Sequence, residues 1–198
     1  MNDFWIWFST GFQHILDWNS YDHIVYVIAL CVIFSAKNWR KLLVLVTAFT
    51  IGHSLTLLLS TLDTIVIRQS LIEPLIPLTI ISTCIINILQ RDKLEKSQNK
   101  INYMLNYILA LVFGFIHGMG FSYLLKSMLG KEENTVYPLL SFNLGLELGQ
   151  IIIVILMLLF SVFLIRFTKI KKTVMILVIS TIVLLISIFL FIQRLSTL

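Results

Sequence analysis

Four histidines, His14, His23, His53 and His117, lie within or beside apolar runs of this 198-residue chain. An imidazole deep in such a run is costly without a partner, so each one marks a functional position. His117 is the sharpest case. It sits in LVFGFIHGMGF, Leu111–Phe121, and no Asp, Glu, Lys or Arg occurs between Lys100 and Lys126. Gly114 and Gly118 are four apart on one face, which lets a neighbouring helix come close to the ring. Glu147 lies inside the apolar run that starts at Pro138, and Asp22 directly precedes His23. Neutral imidazoles with carboxylates are good ligands for a divalent transition metal such as nickel, cobalt or zinc. A carboxylate beside an imidazole can also fix its tautomer from outside the ligand sphere.

Positioning such residues falls to helices. The chain is 58% hydrophobic and 13% charged, with a mean hydropathy of +0.94. Those values exclude an ordinary water-soluble domain and predict an all-α polytopic membrane bundle. About six spans are expected, near 21–36, 42–61, 74–90, 103–125, 138–165 and 174–192, in one membrane domain covering 1–198. Residues 4–18, FWIWFSTGFQHILDW, are too short to span. Their aromatic content predicts a helix at the membrane interface. The start, Met1-Asn2-Asp3, lacks a basic region, so no segment is expected to be removed.

The net charge of +5 does not point to nucleic acid, because the basic residues sit in short loops between spans. Alternate connections hold Lys37, Arg40 and Lys41; Arg91, Lys93, Lys96 and Lys100; and Arg166, Lys169, Lys171 and Lys172, eleven of the fifteen basic residues. The excess sets the cytoplasmic side. Both termini are therefore expected outside the inner membrane of a bacterium. At 1.5 Å per residue, His53 and His117 then lie roughly 12 Å deep and Glu147 roughly 14 Å deep, all in the outer half of the bilayer. Ionisable groups on three spans share one level, which points to one site.

Around it, Thr50 and Ser54 bring hydroxyls near His53, and Asn143 and Gln150 flank Glu147 as supporting groups. Each also has a plainer reading. A lone intramembrane His can bond a neighbouring helix, His14 can sit in the wet interface, and Asn143 and Gln150 can be interhelical glue. Cys31 and Cys84 stand alone in apolar runs, without metal or disulfide spacing, and read as small core residues.

Taken in order, His14-Ile15, Tyr21-Asp22-His23, Thr50-Ile51-Gly52-His53-Ser54, His117-Gly118-Met119-Gly120-Phe121 and Phe142–Gln150 resemble the HupE/UreJ family over roughly residues 11–150. The resemblance implies a polytopic bacterial membrane protein associated with nickel or cobalt uptake. It further implies that His14, Asp22, His23, His53, His117 and Glu147 handle the metal. The match is to a divergent branch. Ile15 stands where a proline follows the first histidine, Asn19-Ser20 replace a glycine, and no Glu follows His117-Gly118 within a few residues. Glu147 is the candidate for that missing carboxylate.

Three functions follow. One is a divalent-metal permease, with Asp22, His23 and His14 capturing the ion and passing it to His53, His117 and Glu147. Another is an intramembrane zinc-dependent hydrolase acting on a lipid-like substrate, with Glu147 or Asp22 as general base. The third is a haem protein using His53 and His117 as axial ligands. The expected partners are the metal ion, the lipid bilayer and a second copy of the chain.

Overall fold

The computed structural model describes residues 3–17, 21–65, 68–96, 103–129 and 135–196, and these are helical apart from short connections. Helix α1 covers Asp3–Leu16, α2 Asp22–Cys31, α3 Trp39–Thr61, α4 Gln69–Ile72, α5 Leu75–Lys96, α6 Tyr103–Leu129, α7 Val136–Thr168 and α8 Lys172–Leu195. A 3-10 turn at Ala36–Asn38 leads into α3. Met1, Asn2, Trp18, Asn19, Ser20 and Lys100, which entered the sequence reading, fall outside the described residues.

Five stretches are long and apolar enough to cross a membrane: Ala36–Thr61, Gln69–Asp92, Asn106–Leu129, Val136–Thr168 and Lys172–Leu195. Large apolar side chains point outward along them, with Leu89 72% and Phe167 70% exposed. Such a continuous apolar exterior suits lipid and is not sustained in water. The expected helical membrane bundle is therefore present.

The first expected span differs. Within 21–36 only the ten residues of α2 are α-helical, about 15 Å of rise against a hydrocarbon core of about 30 Å. The last carbonyls of a helix lack partners within it and must find them elsewhere in an apolar setting. Here Asn87 donates its side-chain amide to the Ala29 carbonyl at 2.7 Å, and Lys172 donates to the Ile33 carbonyl at 2.8 Å.

Glycines fix how the helices lie together. A Cβ at Gly52 would overlap the Leu111 carbonyl, one at Gly114 the Phe49 carbonyl, and one at Gly118 the His53 carbonyl. Moving from Phe49 to His53 moves the partner from Gly114 to Gly118, so α3 and α6 run parallel. The same backbone-to-backbone approach joins α1 to α7. Gly11 faces the Phe142 carbonyl, Gly145 the Phe8 carbonyl, and Gly149 the Ile15 side chain. Those two helices also advance together. The stretch expected to lie at the interface thus forms, over Asp3–Leu16, a helix seated lengthwise on α7.

The remaining directions follow from side-chain neighbours. In α2, the step from His23 to Tyr26 moves from the His53 and His117 rings to those of Phe49 and Phe113. That is one turn toward the starts of α3 and α6, so α2 opposes both. From Phe142, beside His53, α7 runs to Gln150, beside Thr50, so it too opposes α3. Hence α1 and α2 point the same way, one after the other, and the interruption between them falls at the histidines.

One end of the bundle carries Lys37, Arg40, Lys41, Arg91, Arg166, Lys169 and Lys172. At the opposite end ion pairs join Lys126 to Asp63 and Arg194 to Glu73.

Candidate metal centre

His14 lies in the last turn of α1, His23 in the first turn of α2, His53 near the end of α3 and His117 in α6. Four elements thus converge. The ring centres of His14 and His23 are 4.6 Å apart, those of His23 and His117 5.0 Å, those of His14 and His53 6.2 Å, and those of His23 and His53 6.3 Å. One ligand atom from each of His14, His23 and His53 lies within 4.8 Å of the other two. Nitrogen ligands at 2.0–2.1 Å from a tetrahedral ion are about 3.4 Å from each other. Closing the set around a cation therefore needs movements on the order of an ångström, within the reach of side-chain rotation.

Three of the four rings are buried, and His14 is part-buried. His53 is 0%, His117 1% and His23 4% exposed. Of eight ring nitrogens on the four histidines, seven are buried with no hydrogen-bond partner: Nε2 of His14 and both nitrogens of His23, His53 and His117. A buried polar atom left unpaired costs about 1–3 kcal/mol. Three of these imidazoles, His14, His23 and His53, have ligand atoms grouped closely enough to serve as a donor set for a soft or borderline divalent ion.

Local electrostatics agree. A helix ends in unpaired carbonyls that favour positive charge, and α1 ends beside His14. The start of α2 has the opposite polarity, which its first residue, Asp22, offsets. Asp22 Oδ1 accepts a hydrogen bond from the His23 backbone N–H at 2.9 Å and lies 2.9 Å from His23 Nδ1, off the line of a ring hydrogen bond. An aromatic wall closes the rest. Phe121 lies 3.8 Å from the His14 ring, Phe142 stacks 5.1 Å from Phe121, and Phe49 and Tyr26 each lie 5.3 Å from His117.

The other expected residues sit elsewhere. Glu147 Oε1 accepts a hydrogen bond from Thr47 at 2.8 Å, and Thr50 donates to Gln150 Oε1 at 2.9 Å. These two rungs bridge α3 and α7 between one and two turns from His53, on the side of the basic end. Ser54 donates to the Thr50 carbonyl at 2.6 Å, within its own helix. Asn143 has a buried, unpartnered Oδ1. The structure thus gathers His14, Asp22, His23, His53 and His117 but holds Glu147, Thr50 and Gln150 in a separate polar layer. Cys31 and Cys84 are buried free thiols.

Tyr26 escaped the sequence reading. It is fully buried, its hydroxyl has no partner, and it lies between the His117 and Phe49 rings. Its spacing, three residues after His23 and so on the same helical face, was the available signal. A polar cavity also opens from the end opposite the basic one, with Glu73 and Arg194 among its walls.

By fold and centre this is a multi-pass helical membrane protein with a buried histidine cluster. The chain belongs to the HupE / UreJ protein family, which matches residues 1–194. No curated protein and no solved structure matches it.

Proposed function

We propose that the chain is a permease for a divalent transition metal of the nickel/cobalt type, lying in the inner membrane of a bacterium with both termini outside. The observation that carries this reading is the grouping of His14, His23 and His53, from three separate helices, with ligand atoms within 4.8 Å. Membership of the HupE/UreJ family, associated with nickel and cobalt uptake, supports it. His14, His23 and His53 form the ligand set, His117 adjoins it, and Asp22 holds His23 in place.

A transporter must bind its cargo well enough to admit it and weakly enough to release it. Three neutral imidazoles without a bonded carboxylate suit that balance better than a closed thiolate site. Beyond the centre, toward the basic end, lie the hydroxyl of Tyr26 and the Thr47–Glu147 and Thr50–Gln150 hydrogen bonds, the polar groups an ion leaving the histidines would meet. Glu147 is a transit group on this route.

Cells expressing the protein should accumulate nickel or cobalt, and His23→Ala or His53→Ala should cut that accumulation at least about tenfold with equal protein in the membrane. Unchanged accumulation in both variants would sink the reading. Tightly held, stoichiometric zinc with no uptake would favour the lipid hydrolase instead.

A further inference from the structure

A cavity of about 210 Å³ runs from the end opposite the basic one down to the imidazoles. Its floor includes Asp22, His23 and His117, and its rim includes Gln69, Glu73 and Arg194. It has room for a cation that still carries several waters, at about 30 Å³ for each. Arg194 donates to Glu73 Oε2 at 3.2 Å, and Gln69 donates to Glu73 Oε1 at 2.8 Å. So one carboxylate is held on the rim by an amide and faced by a guanidinium, directly above the metal centre.

The charges set the consequence. Two carboxylates, Asp22 and Glu73, and one guanidinium, Arg194, line the passage, and the excess is negative. Clefts with one sign of charge and low-dielectric walls raise the local concentration of the opposite ion. The Arg194–Glu73 pair is partly exposed, with side chains 38% and 25% accessible, so it gives way readily to a competing charge. Arg194 near the end of α8 and Glu73 just before α5 are far apart in the sequence. Neither belongs to the motifs that carry the histidines.

We propose that Glu73 is the first ligand an incoming divalent cation meets, and that Arg194 is the counter-charge it displaces. The pair forms an ionic threshold in front of the imidazole centre, and the inference rests on reading that centre as a metal site. Entry consists of exchange at Glu73: the guanidinium swings away, the hydrated cation takes its place, and loss of water then hands it to His23 and its neighbours. Gln69 keeps the carboxylate aimed while its partner changes.

The test is the rate of cobalt(II) binding to the full chain in detergent, followed by stopped-flow absorption of the bound ion. Glu73→Gln should slow association about three- to tenfold, because the rim then loses its carboxylate and keeps the positive charge of Arg194. Arg194→Gln should speed it severalfold, because the carboxylate is then free. The final absorption should be unchanged in both. Each substitution breaks the same ion pair, so a purely structural tether between α8 and the start of α5 would move both rates the same way. Rates moving together, or not at all, overturn the proposal while leaving the metal centre intact. Wild-type protein that binds no cobalt overturns both.

Discussion

Asp22 links the cavity mouth to the imidazoles, since its carboxylate touches both the ring and the backbone N–H of His23. A carboxylate this close places negative charge beside the ring, which favours a cation bound there. Asp22→Asn should therefore weaken nickel binding about 10–100-fold, measured by calorimetry on purified protein, with a thermal midpoint close to wild type. Glu147 gives the contrast. It accepts a hydrogen bond from Thr47, a turn or more from the rings, so Glu147→Gln should leave equilibrium affinity within about twofold. Slowed uptake with unchanged affinity would assign it to the transit path.

At the level of the helix, glycine decides the packing. Positions 11, 52, 114, 118, 145 and 149 each face another helix so closely that a Cβ would overlap its backbone or a side chain. Gly114→Val should destabilise the bundle by about 1–3 kcal/mol, the usual cost of overfilling a packed site, and lower metal binding with it. Gly120→Ala is the control, because its added Cβ would meet only the movable tip of Ile76, at 2.8 Å. Thermal denaturation of the two variants separates them. The glycines near His53, His117 and Glu147 were visible in the sequence because they lie four apart or beside an ionisable residue. Gly11 was not, since nothing in FSTGFQH announces that α7 will be its neighbour. The short α2 was hidden for a related reason. Val32, Ile33 and Phe34 are as apolar as the helix before them, and Asn87 and Lys172, both distant in sequence, bond a carbonyl in its last turn and one just beyond it.

At the scale of the whole molecule, hydropathy and loop charge conveyed the helical class and the common level of the histidines, because both depend on composition along the chain. The separation of Glu147 from the cluster depended on which way α7 presents its faces, and a depth estimate contains no such angle. Five helices are long and apolar enough to cross on their own; on the proposed topology α1 and α2, pointing the same way, make a sixth crossing in two pieces. Alkaline phosphatase fused at either terminus should accordingly be active and a fluorescent protein there dark. Opposite results at the two ends would require an odd number of crossings.

The glycine contacts also divide the cluster between two couples. His14 travels with α1 and α7, whereas His53 and His117 travel with α3 and α6, and His23 stands on the short rod between them. A slip of one couple past the other would stretch every distance from His14 while preserving the spacing of His53 and His117. On the proposed reading the cage around an ion would open by sliding along a seam, with no helix bent, at the cost of the Thr47–Glu147 and Thr50–Gln150 bonds that cross it.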